Sequence, residues 1–176
     1  MIGLGQPVTL IGLPGSGKSA IGKETARRLD VPFADCDKWV EQRAGCSIAK
    51  LFERDGEPAF RALETEALTE LIEMGRSVIA TGGGAVLAER NRALLATRSL
   101  CVYLDAPHDL LWKRLKRDRR RPLLQVEHAE ERLRQLRVKR EPLYRQTAAI
   151  VVDVSALSFD RIVDVVVTGV REASQS

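Results

Sequence analysis

The residues with the clearest chemical potential lie near the start of the chain, in Gly12-Leu13-Pro14-Gly15-Ser16-Gly17-Lys18-Ser19-Ala20. They meet the spacing GxxxxGK[ST], follow an apolar run and open an amphipathic one, which is the strand-to-helix context that this spacing needs. Glycines let the backbone curl so that its N–H groups face a phosphate, and the start of the helix adds favourable potential. Gly15, Ser16, Gly17 and Ala20 are thus expected around the phosphates of a nucleoside triphosphate. Lys18 should reach the β- and γ-phosphates, and the Ser19 hydroxyl should ligate Mg²⁺. Gly15–Ala20 also satisfies the shorter dinucleotide pattern GxGxx[GA], with Asp35 and Asp37 about where a ribose partner would fall. The longer pattern contains the shorter one and is much harder to meet by chance, so the triphosphate reading is preferred to a dehydrogenase.

A triphosphate site does not choose an acceptor, and other charged residues must do so. Phe33-Ala34-Asp35-Cys36-Asp37 ends a strand-like run, where alternation points both carboxylates to one side. At the C-terminal end of a parallel strand they would face the ligand crevice, one near the metal and one near an acceptor hydroxyl. Alternatively, Asp37 merely N-caps a helix starting near Lys38. Arg61 precedes Glu64 by one helical turn, which suits orientation of the guanidinium but equally a surface pair. Arg61 and Arg140 carry planar forks that match a carboxylate. Gly82, Gly83 and Gly84 permit close approach of a ligand to the backbone, or simply form a strand-to-helix turn. Asp105 ends an apolar run where many triphosphate enzymes place a metal acid, yet Ala106-Pro107 after it reads as an N-cap with proline just inside the helix.

These residues need a frame. Strand-like runs occur at Pro7–Leu13, Pro32–Asp35, Ser77–Thr81, Ser99–Asp105 and Ala148–Asp153, and helical patterns at Lys18–Leu29, Glu57–Met74, Pro107–Lys116, Ala129–Tyr144 and Phe159–Val170. Several strands are continuous apolar runs, as expected when helices cover both faces of a parallel sheet. The expected class is α/β with three layers. The connection between the second and third strands is longer than a crossover helix requires, so the excess should form an acceptor-side subregion.

The phosphate loop, Phe33–Asp37, Phe60-Arg61-Ala62-Leu63-Glu64, Thr81-Gly82-Gly83-Gly84-Ala85-Val86, Arg121-Pro122-Leu123-Leu124 and Arg140-Glu141-Pro142-Leu143-Tyr144 occur in one order and spacing. Together they resemble the shikimate kinases from about Val8 to Tyr144. The resemblance implies a five-stranded parallel sheet flanked by helices, a P-loop kinase like the nucleoside monophosphate kinases. It implies a single domain over residues 1–176 with an acceptor-binding subregion at about 37–64 and a lid at about 115–128. The implied reaction transfers phosphate from ATP to shikimate, giving shikimate 3-phosphate for aromatic amino-acid synthesis. Ser19 and Asp35 would organise Mg²⁺, while Asp37, Arg61, Gly83 and Arg140 would hold shikimate. Arg121 would fold over the phosphates from the lid, and Arg114 would stack on adenine. Lys18, Asp37 and Arg121 are the implied catalytic residues, Asp37 being the candidate for taking the hydroxyl proton. Ala20 stands where relatives often carry Thr, and residues 154–160 show no pattern that supplies the second wall of the adenine site.

Bulk properties agree. The chain of 176 residues carries 28 Lys and Arg against 24 Asp and Glu, a net charge of +4 that suits an anionic ligand. Cys36, Cys46 and Cys101 have no CxxC spacing, which argues against a zinc site or disulfide framework and for a reducing compartment. No targeting segment or membrane span is legible, so a cytoplasmic protein is expected; a monomer is also expected, though no residue pattern sets the oligomeric state. A gluconate-type kinase keeps the phosphate loop but leaves Arg61, Gly82–Gly84 and Arg140 unexplained. A basic nucleic-acid-binding NTPase would explain Arg114–Arg121 and Arg132–Arg145. Neither is preferred, and no nucleic-acid partner is expected.

Overall fold

The computed structural model describes residues 5–116 and 127–175. Strands β1 (Val8–Ile11), β2 (Phe33–Asp35), β3 (Val78–Ala80), β4 (Leu100–Asp105) and β5 (Ile150–Asp153) form one five-stranded sheet in the order β2-β3-β1-β4-β5. Every pairing is parallel. Successive β1 residues Val8, Thr9, Leu10 and Ile11 are all fully buried, so the central strand is covered on both faces. The one polar side chain among them, Thr9, bonds Ser99 Oγ at 2.8 Å, which avoids an unmet hydroxyl in the core.

Seven helices surround the sheet among the described residues: α1 (Lys18–Leu29), α2 (Cys36–Ala44), α3 (Ile48–Glu73), α4 (Glu89–Arg98), α5 (His108–Leu115), α6 (Ala129–Thr147) and α7 (Phe159–Ala173). In α7, Ile162, Val163, Val166, Val167 and Val170 fall on one buried stripe, and α1 packs beside it. Helix α4 packs against α3, α6 and β4. No helix among the described residues is long and apolar enough to cross a membrane.

The expected α/β class and five-stranded parallel sheet are present, and three differences from the sequence expectation have physical causes. Helix α2 starts directly at Cys36, because Asp35 caps it from the last position of β2. Helix α3 begins at Ile48, nine residues before the expected Glu57, and breaks at Gly56, where φ is 81° and ψ 176°. Helix α4 has no counterpart in the hydrophobic pattern because it buries only Asn91 and Leu95, too few positions to show as a stripe. The expected lid falls mainly on residues 117–126, which lie outside the described residues together with Arg121.

Candidate active site

The loop between β1 and α1 turns at Gly17, which N-caps α1 at φ 97° with no side-chain cap. A left-handed residue without a Cβ is needed there, and the first N–H groups of α1 are left without a side-chain acceptor from the cap. Lys18 is only 8% exposed, and its Nζ donates to the carbonyls of Gly12 (2.7 Å) and Leu13 (2.9 Å). The ammonium is thereby fixed against the loop whose N–H groups it complements. The Ser19 hydroxyl donates to Asp35 Oδ2 at 2.6 Å, joining the start of α1 to the end of β2.

Asp35 Oδ1 accepts the backbone N–H groups of Asp37 (3.0 Å) and Lys38 (3.4 Å), so the cap of α2 is Asp35 and the alternative that Asp37 caps it is overturned. The alternation argument also needs correction: Asp37 sits in the first turn of α2, so strand pleating does not relate it to Asp35. Both nevertheless line one cleft of about 410 Å³, with Lys18, Ser19 and Gly83. A hydroxyl and a carboxylate 2.6 Å apart are the oxygen donors that Mg²⁺ takes beside phosphate and water, so Ser19 and Asp35 fit the expected ion.

On the same lining Arg114 donates from Nη1 to the Gly15 carbonyl of the phosphate loop at 2.8 Å. The lining also includes Leu157 and Phe159, which are 38% and 47% exposed. Sequence reasoning left this wall unassigned. Its signal was a pair of solvent-facing apolar residues around Ser158, whose side chain caps α7. Gly15, Gly17 and Ala20 also lie on the lining, whereas Ser16 is fully buried beneath it.

The second group of expected residues gathers behind Gly83. Arg61 Nη1 donates to Glu64 Oε1 at 2.8 Å, and its Nε and Nη2 reach Glu57 Oε1 at 3.2 and 3.0 Å. Burial opposes the charge of Arg61, but Glu64 and Glu57 outweigh it and raise its basicity. The guanidinium lies so close to Gly84 that a Cβ there would come within 2.2 Å of Nη1. Glu64 is 1% exposed; burial raises its pKa, and the Arg61 charge partly offsets that. Arg140 is 3% exposed, and burial weighs most against its charge, with Arg61 adding to the effect. Glu64 offsets part of that cost, and an anion brought to the Arg140 guanidinium would offset more.

Neither arginine borders the 410 Å³ cleft itself. They approach it at the glycine segment: the Arg61 guanidinium lies against Gly84, and Tyr144, one turn after Arg140 on α6, donates its hydroxyl to the Gly83 carbonyl. The glycine segment is held from behind by α4: Asn91 Nδ2 donates to Ala85 O at 2.9 Å, and Arg92 Nη1 to Val86 O at 2.8 Å. Asp105 does not cap α5, which starts at His108. Its carboxylate instead accepts Arg145 Nη2 at 2.5 Å and Tyr103 Oη at 3.1 Å. Cys36 is a packed thiol, its pKa raised well above the ordinary value by burial first and by neighbouring carboxylates second.

A phosphate loop opening on a cleft that carries two aspartates, backed by paired arginines and a glycine triplet, invites comparison with known kinases. The shikimate kinase family model matches residues 14–171. This chain belongs to the shikimate kinase family. It is 47% identical over 146 residues to the shikimate kinase of Aromatoleum aromaticum, covering 83% of each chain. It is 48% identical over 147 residues to that of Paracidovorax citrulli, covering 82% of this chain and 80% of the relative. The structure of shikimate kinase from Acinetobacter baumannii in complex with shikimate superposes with a TM-score of 0.92 at 36% identity, over 96% of this chain and 94% of that one. The shikimate kinase fold is therefore that of the present chain, and the enzyme is a phosphotransferase.

Proposed function

We propose that this cleft moves the γ-phosphoryl group of ATP to the 3-hydroxyl of shikimate, with Mg²⁺, and that Asp37, Arg61, Gly83 and Arg140 hold the acceptor. The single observation that carries this assignment is the place of the glycine segment: Gly83 lines the phosphate-loop cleft and accepts the hydroxyl of Tyr144, one turn after Arg140, while the adjoining Gly84 lies against the Arg61 guanidinium. An acceptor spanning that junction would set its carboxylate on Arg61 and Arg140 and a hydroxyl toward the phosphates. Bidentate guanidinium contacts give the orientation that phosphoryl transfer chiefly requires.

Ser19 and Asp35 would hold the ion, which when bound neutralises charge on the β- and γ-phosphates. Lys18 leaves the Gly12 and Leu13 carbonyls for the phosphates or shares itself between them. The acceptor oxygen attacks the γ-phosphorus, its proton passes to Asp37, and ADP departs as charge moves to the β-phosphate. Arg114 flanks the adenine end with Leu157 and Phe159. The acceptor subregion at about 37–64, the lid at about 115–128 with Arg121 over the phosphates, and a monomeric, cytoplasmic enzyme complete the reading.

The test is a coupled ADP-release assay with shikimate, gluconate or no acceptor. Shikimate-dependent turnover with little release in the other two arms is expected. Equal rates with gluconate, or release without acceptor, would overturn the assignment.

A further inference from the structure

Helix α4 buries only two of its residues, and one of them is polar. Asn91 and Leu95 lie four apart, hence on one face; Leu95 is fully buried and Asn91 is 1% exposed. Burying an amide costs free energy unless its groups are bonded, and Asn91 spends its donor on the chain just before the helix. Its Nδ2 donates to Ala85 O at 2.9 Å, whereas Oδ1 has no partner among the described residues. Arg92 continues the same contact: one nitrogen, Nη1, donates to Val86 O at 2.8 Å and to Leu87 O at 3.0 Å. Ala85–Leu87 form a 3₁₀ turn directly after the glycines, so α4 grips three successive carbonyls of that turn. Upstream, the Gly82 carbonyl accepts Ala85 N–H at 3.1 Å, the Gly84 carbonyl accepts Leu87 N–H at 3.0 Å, and the Gly83 carbonyl accepts the Tyr144 hydroxyl. Every carbonyl from Gly82 to Leu87 is thus engaged, the last three by Asn91 and Arg92.

The segment so held has no slack toward the site. A Cβ on Gly82 would collide with Glu64 Oε2 and crowd Asp37 Oδ1, one on Gly83 would meet Pro14 Cδ at 2.8 Å, and one on Gly84 would collide with the Arg61 guanidinium. Close packing transmits small shifts, so a displacement of this backbone changes what Asp37 and Arg61 touch. We infer that Asn91 and Arg92 are positioning residues for the acceptor: by holding the carbonyls of residues 85–87 they set where the Gly82–Gly84 backbone stands against Asp37, Glu64 and Arg61. The inference rests on the proposed placement of the acceptor at Asp37, Arg61, Gly83 and Arg140. The phosphate loop is held separately, by Lys18 on the Gly12 and Leu13 carbonyls. Loss of the α4 contacts should therefore appear with the acceptor and spare the nucleotide.

The experiment measures KM and kcat for shikimate and for ATP, with a thermal melt, on Arg92→Met, Arg92→Lys and Asn91→Leu. Methionine keeps much of the stem and loses the donor, whereas a lysine ammonium can still serve both carbonyls, since a single nitrogen serves them in the native enzyme. Leucine nearly fills the asparagine's volume without its donor. Arg92→Met and Asn91→Leu should each lower kcat/KM for shikimate about tenfold or more, the scale of a small misplacement of reacting groups, with the ATP KM within about twofold of native. Arg92→Lys should bring kcat/KM for shikimate back to within about threefold of native, because the donor returns at the same place. Native kinetics in Arg92→Met or Asn91→Leu, whatever their melting temperatures, an equal rise in the ATP KM, or an Arg92→Lys enzyme as impaired as Arg92→Met would overturn the inference. If Asn91→Leu does not fold, the two Arg92 variants decide; failure of Arg92→Met to fold would make the grip purely structural and overturn it as well. A native enzyme without shikimate-dependent ADP release would instead refute the proposed function, an outcome read before any variant is made.

Discussion

Asp35 performs two jobs with two oxygens, and one pair of substitutions separates them. Oδ1 caps α2 and Oδ2 accepts the Ser19 hydroxyl at 2.6 Å. Asparagine keeps one oxygen for the cap, where it serves about as well as aspartate, but replaces the other with a donor that no cation can use. Alanine removes both. Loss of the cap costs about 1 kcal/mol, so Asp35→Ala should lower the melting temperature by roughly 2–4 °C for a chain of this size, and Asp35→Asn should leave it nearly unchanged. In activity both should suffer. Losing a charge-assisted contact of about 1.5–3 kcal/mol raises the Mg²⁺ concentration for half-maximal rate by roughly 10- to 150-fold. The assay is coupled ADP release across a Mg²⁺ titration at saturating ATP and shikimate, alongside thermal melts. An Asp35→Asn enzyme with the native Mg²⁺ requirement would refute the metal role, and one melting as low as Asp35→Ala would refute the division of labour between the oxygens.

Lys18→Ala should reduce kcat by about 10²-fold or more, since the lost charge is aimed at the transferring phosphate; native turnover in a steady-state assay would remove Lys18 from the mechanism. Asp37→Asn should retain shikimate binding by calorimetry while kcat falls by roughly 10² or more, and normal turnover would mean that Asp37 performs no proton chemistry. Arg61→Lys should chiefly weaken shikimate binding because an ammonium cannot reproduce the fork, and the native enzyme should use shikimate methyl ester much less well than the acid. Equal use of acid and ester would count against the carboxylate clamp. Arg121→Ala should lower kcat more than ATP affinity, a contrast resolved by comparing single-turnover rates with nucleotide binding.

The phosphate loop is legible in sequence because its function depends on backbone curvature, and curvature requires glycines at fixed spacing. The Arg61–Glu64 pair is legible because one helical turn separates the two, and the structure joins them at 2.8 Å. The roles of Asp35 and Asp37 are harder to apportion, because a carboxylate at a strand end serves a cation and a helix cap by the same chemistry. Distance alone separates the two uses. Tyr144 and Asn91 work through contacts to the carbonyls of Gly83 and Ala85, 61 and 6 residues away. Such contacts leave no periodic trace. Leu157 and Phe159 escape for the opposite reason: exposed apolar side chains are common on surfaces, and only the cleft beside them gives them meaning.

The order of the strands also bears on how the enzyme comes into being. The phosphate-loop strand β1 has no partner nearby in the chain: Val8 registers with Val78 on one side and Leu100 on the other. During synthesis that apolar segment leaves the ribosome well before either neighbour exists. Pairing across such separations is slow because long loops must close before any contact forms. The nascent N-terminal region is thus an exposed strand awaiting partners, the condition in which chaperones engage and chains aggregate. Truncations ending before residue 100 would lack a flank of the central strand, and the catalytic loop would have no sheet on which to form.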